Sequence, residues 1–347
     1  RQIADWISSQ NLPRAHSDHH FLTMILDNPA TGAFRILDAN DGGIAVSPNG
    51  GVNWQQLTGM GTTQFYGADK KPGEDVYIGG MQDNGTWLSG ADPAALSPWQ
   101  FAIGGDGFEA VWHHGDPNLV LGGSQGNRLR RSEDAGQTWA PVIGFPSPPN
   151  RSPFITKIAN SKVDPDLVLS VSMDGVLRSD DFGTSWTTTP VNGNWLGWRP
   201  FDNVEVSNAD PQIVWISGRM DVDPASGLRG GIHVSTDGGL SFIEISGNFP
   251  PELAEAAGIA THPIDPNTAY MLFAGPGEPK VMQTTDLGQT WVDLSGFSGP
   301  AKQGPPFSSN GFPDVAAFSL LVMPFDTDIL WAGTEIGLIV STDGGGS

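Results

Sequence analysis

Cysteine is absent from the 347 residues, so no disulfide framework holds the fold and the redox compartment leaves no trace. Cations are scarce: 17 Lys and Arg stand against 38 Asp and Glu, a formal net charge of −21. Such a surface repels phosphate backbones and anionic headgroups, so neither nucleic acid nor a lipid surface is an expected partner. Acidity of this degree acts on solubility first. No apolar run reaches the length of a bilayer span, which argues against membrane insertion. The opening Arg1-Gln2-Ile3-Ala4-Asp5 lacks the apolar core of a signal peptide, so the chain reads as a mature or excised piece. Helix signals are few. Pro250 to Ala257 alone is expected to make one or two turns, with proline at its start. What abounds is Gly (46) and Pro (28), a composition of many short strands joined by tight turns.

One stretch recurs. Ser132-Glu133-Asp134-Ala135-Gly136-Gln137-Thr138-Trp139 returns at Ser179–Trp186, Ser235–Phe242 and Thr284–Trp291. An imperfect copy spans Ser47–Trp54 with Asn49 in the Asp position, and a sixth, Ser341–Ser347, stops before the aromatic residue. In the pattern S-x-D-x-G-x-T-W, Ser and Asp side chains close a turn on their own backbone. Gly supplies the positive φ, and the aromatic residue opens the next strand and packs beneath the turn. Ser132, Asp134, Gly136, Trp139, Asp181, Trp186, Asp237, Asp286, Trp291 and Asp343 are therefore read as structural residues.

A second repeat sits between these turns. Asn28-Pro29, Pro72-Gly73, Asp116-Pro117, Asp164-Pro165, Asp210-Pro211, Asp265-Pro266 and Asp326-Thr327 each precede a short apolar strand. Their spacing, roughly 44 to 61 residues, is that of four-stranded propeller blades. The expected fold is all-β, a seven-bladed β-propeller forming one domain over residues 1–347, or an excerpt of a longer multidomain protein. The last blade lacks its outermost strand, and Ile3 to Trp6 is the segment expected to complete it and remove the exposed edge.

The recurring turn resembles the Asp-box, or BNR, repeat of sialidases, xyloglucan-degrading hydrolases, sortilin-type receptor domains and a photosystem assembly factor. The resemblance implies a β-propeller with the boxes on its outside, away from the ligand. A narrower likeness covers roughly the first 130 residues. His16-x-Asp18-His19-His20, Asn40-Asp41-Gly42-Gly43, Gln64-Phe65-Tyr66, Gln82-Asp83-Asn84-Gly85 and Gly104-Gly105-Asp106-Gly107 look like bacterial exported BNR proteins related to sortilin propellers. It implies a secreted, cell-surface or periplasmic location and no particular reaction. Those proteins are usually longer than this chain, which would make further domains of a parent chain its partners.

Propeller geometry sorts the loops. Turns between the first and second strands share one face with the boxes. Turns between the second and third strands share the other face with the crossovers between blades. On that second face the expected ligand-binding residues are Asp18, His20, Asp41, Gln64, Gln82, Asp83, Asp106, Glu109, Trp198, Arg199, Arg219 and Glu335. Carboxylates, amides and aromatics suit a hydroxyl-rich glycan, or a protein ligand, without a cofactor. His16, Asp18 and His20 form a candidate set for calcium or a transition metal, against which stands a bracing His–Asp network.

Two enzyme classes are weighed on the same residues. A sialidase would need an arginine triad and a Tyr–Glu nucleophile pair; with few cations, three tyrosines and no F-R-I-P segment, the chain departs from that pattern. A xyloglucanase would use two carboxylates in an inverting arrangement, one of them in a T-D-x-G-G-like segment. Here Asn40 takes that carboxylate position, with Asp41 one place later, and Gln125 takes it in the third blade. Asp41, Asp83, Asp106, Glu109 and Glu335 remain candidates for a general acid/base pair. The expected function is a glycan- or protein-binding module acting through its channel mouth, the alternative being a polysaccharide hydrolase.

Overall fold

The computed structural model describes residues 16, 18–57, 64–94, 97–191, 202–222, 229–297 and 308–347. Ile3 to Trp6 lie outside the described residues, as do Trp198 and Arg199. Seven antiparallel sheets follow one another along the chain, and within each the strands pair in chain order. Six have four strands and the last has three, Ala317–Val322, Leu330–Thr334 and Gly337–Ser341. This is an all-β arrangement consistent with a seven-bladed propeller.

The repeated turn shows why its residues recur. In the third sheet Ser132 Oγ donates to Asp134 Oδ1 at 2.8 Å and accepts the Gly136 N–H at 2.9 Å. Asp134 in turn accepts the Thr138 amide at 2.8 Å and its hydroxyl at 2.6 Å. These bonds hold the Asp134 carboxyl down at about 2, the Thr138 hydroxyl contributing most. Glycine alone does not make the turn, because the residue before it is left-handed too: Ala135 has φ 58°, Phe182 47° and Leu287 58°. Two consecutive positive φ values let the turn fold back onto the first loop of its own sheet. There Ala135 N donates to Asn118 O at 2.8 Å, and Phe182 N to Asp166 O at 2.9 Å. Boxes and Asp-Pro turns thus share one face.

The core is divided. Five buried apolar clusters lie one after another between the second and third, third and fourth, fourth and fifth, fifth and sixth, and sixth and seventh sheets. Trp139, Trp186, Phe242 and Trp291 each belong to or pack against one of them. The first sheet is different. Its leading strand His19–Asn28 is exposed throughout, with Phe21 66% and Leu22 60% accessible. What ties it to the second sheet is polar: His16 Nε2 meets Asp83 O at 3.0 Å, and Asn84 Nδ2 donates to Asp41 O at 3.2 Å.

The expected helix at Pro250–Ala257 does not form. Leu253 N bonds Pro250 O in a single turn, Leu253 is fully buried in the cluster between the fifth and sixth sheets, and Ala256 opens the strand Ala256–Thr261. Burial of two apolar side chains in a crossover outweighs the local helix preference of an alanine-rich run. The short helical turn nearby is Ser246–Asn248.

Candidate functional site

The second face is built by crossovers that ride over the middle turn of the next sheet. Asp106, in the crossover to the third sheet, accepts the Asp83 N–H at 3.0 Å and donates its own N–H to Gln125 Oε1 at 3.0 Å. In the fourth sheet Arg151 grips Asp174 through three hydrogen bonds. In the seventh, the Ala316 amide donates to Glu335 Oε2 at 3.2 Å. The same topology therefore recurs with different side chains.

At the first and second sheets it produces a concentration of acids. Asp18, Asp41 and Asp83 each present a carboxylate oxygen, and these atoms lie within 4.8 Å of one another. Asp83 sits on a left-handed turn (φ 62°) that aims it at the first sheet, and Asp18 is left-handed as well (φ 55°). His20 Nε2 is paired with Asp41 Oδ1. That hydrogen bond raises the His20 imidazole above its ordinary range and holds Asp41 below the usual carboxylate range. Asp83 goes the other way, to about 6: burial contributes most, followed by Asp41 beside it and by the Asp106 charge. One cluster thus contains a carboxylate that stays ionised and a carboxyl that keeps its proton up to about pH 6.

A cavity of about 480 Å³ adjoins these acids, lined among others by Asp41, Gln64, Tyr66, Gln82, Asp83 and Asn84. Tyr66 also lines a cavity of about 1240 Å³, with Phe65, Phe154 and Phe318, and a deeper one of about 550 Å³. Phe65, Phe154 and Phe318 are 47%, 56% and 51% accessible. Asn40, in the position a xyloglucanase would give to a carboxylate, is buried and shapes the turn. Its Oδ1 accepts the Gly42 N–H at 3.0 Å and its Nδ2 donates to Asp38 Oδ2 at 2.9 Å.

The structure gathers Asp18, His20, Asp41, Gln64, Gln82, Asp83 and Asp106 in one region, and it separates others. Glu109 lies on the strand Gly107–Trp112, not in a crossover, and reaches the deeper cavity. There it pairs with Lys157 Nζ at 3.0 Å and accepts the Ile158 N–H. Glu335 is held by the seventh sheet, and Arg219 lies in the strand Val214–Val222, its backbone bridged to Glu255. His16 and His20 do not join Asp18 in a common ligand set, because their Nε2 atoms are engaged by Asp83 O and Asp41; the converging ligand atoms are the three carboxylates.

Glu205 was not anticipated. It lines the deeper cavity, where burial, with the Glu109 charge second, pushes its carboxyl up to about 8. The available signal was an acid between the apolar residues Val204 and Val206, both buried between the fourth and fifth sheets.

No family model matches the chain. It is 24% identical over 217 residues to a xyloglucanase of Paenibacillus sp., a match covering 53% of this chain and 20% of that protein. It is 26% identical over 256 residues to the dispase autolysis-inducing protein of Streptomyces mobaraensis, covering 72% and 65%. Among solved structures, an ancestral GH74 enzyme superposes with TM-score 0.56 at 14% identity, over 93% of this chain and 44% of that one. At that identity the likeness shows a shared β-propeller fold and nothing of activity. The chain thus spans about a fifth of the xyloglucanase and less than two thirds of either relative. Among the described residues, no helix is long and apolar enough to cross a membrane.

Proposed function

We propose that the chain is an exported, seven-bladed Asp-box propeller that binds a neutral, hydroxyl-rich glycan at the mouth between its first and second sheets. The observation that carries this reading is the close packing of Asp18, Asp41 and Asp83 within 4.8 Å beside Tyr66. Carboxylates at that spacing accept hydrogen bonds from vicinal hydroxyls, amides at Gln64 and Gln82 supply donors, and an aromatic rim offers a face for a sugar ring. An anionic ligand would be repelled. The xyloglucanase relative supports a carbohydrate over a protein ligand.

A second reading, glycoside hydrolysis, is favoured by the opposed behaviour of Asp41 and Asp83, one held ionised and the other protonated to about 6. The spacing weighs against an inverting mechanism, which needs roughly 6.5–9.5 Å between carboxyls so that a water fits, whereas oxygens of this cluster lie within 4.8 Å of one another.

The two readings are separated with xyloglucan oligosaccharides, by calorimetric titration alongside a reducing-end assay. Binding without new reducing ends, weakened about tenfold or more in Asp41→Ala and Asp83→Ala, is the expected result. Turnover abolished in Asp83→Asn would establish the hydrolase, and failure to bind across a panel of neutral glycans would overturn both.

A further inference from the structure

The leading strands of the second to seventh sheets lie side by side, and the cavity of about 550 Å³ opens along them. That volume is in the range that holds small ligands. Its two sides differ in chemistry. The third, fourth and fifth sheets contribute Glu109, Lys157 and Glu205, whereas the sixth and seventh contribute no charged side chain. Alternation explains why the two acids face inward. Phe108 and Ala110 flank Glu109, Val204 and Val206 flank Glu205, and all four flanking side chains are buried on the other side of their strands.

The charges in this cavity are unequally matched. Lys157 Nζ lies 3.0 Å from Glu109 Oε1, and the Glu109 charge holds the ammonium above its ordinary range, so that pair is closed. Lys162, the other cation near Glu205, follows the strand Ile158–Asn160 and is exposed to solvent. Glu205 is left over. Among the described residues it makes no hydrogen bond and no ion pair, although it is partly buried. Burial, with the Glu109 charge second, keeps its proton on up to about pH 8. A desolvated carboxyl without a partner is unfavourable, and an incoming donor relieves it.

We propose that this cavity binds a small organic cation, whose primary ammonium group seats against Glu205 while its carbon frame lies against Phe318 and Leu321. A neutral hydroxyl would leave Glu205 protonated. An ammonium draws out the ionised form and makes the stronger, charge-assisted bond. As the pair forms, Glu205 gives its proton to the solvent, and the Glu109–Lys157 pair stays intact. Phe318 and Leu321, 51% and 57% accessible on the uncharged side, gain an apolar surface to cover them. An anion is disfavoured by Glu109 and by the net charge of −21. The site shares only Tyr66 with the lining of the cavity beside Asp41 and Asp83, so it does not rest on the glycan reading.

Calorimetric titration of the full chain with butylammonium tests this, with butanol as the neutral counterpart and two buffers of different ionisation enthalpy. At pH 7 butylammonium is expected to bind with release of nearly one proton, and its affinity is expected to rise about tenfold from pH 6 to pH 7. Glu205→Gln copies the protonated acid in shape and charge. The variant is expected to keep the parent's melting temperature near neutrality, to lose the proton release and to bind about tenfold more weakly or worse. Parallel titration with 6-amino-6-deoxyglucose distinguishes a sugar-borne amine from an alkyl one, the tighter of the two naming the source. Butanol binding as tightly as butylammonium, binding without proton release, or unchanged affinity in Glu205→Gln would each overturn the proposal. So would failure of both amines to bind.

Discussion

Asp83 is the residue whose ionisation the fold constrains most openly within the acid cluster. Its carboxyl is raised from an ordinary 3.8 to about 6, so the folded protein keeps a proton that the unfolded chain has released. Stability contributed by this group is complete below about pH 4, declines as pH rises towards 6, and stays lower above it. Asp83→Asn is expected to remove that decline and to raise stability near neutrality by on the order of 1 kcal/mol, after discount for solvent and for Asp41. Asn tolerates the left-handed backbone at this position, so the substitution tests charge and not strain. Urea unfolding at about pH 4 and about pH 8 checks it: a mutant with the parent's pH dependence would contradict the assignment. Sequence alone made Asp83 a candidate because a polar turn between two apolar strands announces its own exposure. It misplaced Glu109 for a related reason. The strand begins at Gly107, three residues earlier than a crossover ending at Glu109 would require, and alternation then sets Glu109 on the face opposite the buried Phe108. Glu109 and Lys157 are partners from segments far apart in the chain, with Glu205 near enough to feel both charges, and no local pattern encodes that meeting.

At the scale of strands, position in the sequence of interfaces decides what a side chain is worth. Leu169 is fully buried between the fourth and fifth sheets, and Leu169→Ala is expected to cost about 2–5 kcal/mol. Leu22, on the exposed strand His19–Asn28, is just as apolar, yet Leu22→Ser is expected to change stability by less than about 0.5 kcal/mol. Denaturant midpoints for the pair check the contrast, and similar losses from both would show that the first sheet is buried in solution. The strands themselves were legible. Val168-Leu169 and Trp215-Ile216 announce buried segments between turn residues, and each box is a local device whose Ser and Asp side-chain bonds stay within about five residues. What was not legible is that the leading strand stays uncovered. Phe21, Leu22 and Met24 read as core in any sequence, and only the packing of neighbouring sheets decides otherwise. The alanine-rich run after Pro250 failed in the opposite sense, being recruited into a strand by partners in the fifth and sixth sheets.

Over the whole molecule, the five apolar clusters form a row from the second sheet to the seventh, each shared by two neighbours. Stability in such a row is a sum of nearest-neighbour contacts, and it is lost most easily from a weakly bonded end. Amides of the first sheet are accordingly expected to exchange with solvent well before those of the third, fourth and fifth. Hydrogen-exchange mass spectrometry would detect it, and uniform protection across the sheets would refute it. The joint with the least apolar cement is also the one that carries Asp41 and Asp83 on its two sides. A molecule held by both would act as a rivet across a loose seam, adding its binding free energy where the structure is weakest. At a hundred times its dissociation constant that amounts to about 2.7 kcal/mol. The melting curve itself therefore becomes a detector, able to find a ligand in a chemical library before anyone knows which class to look for.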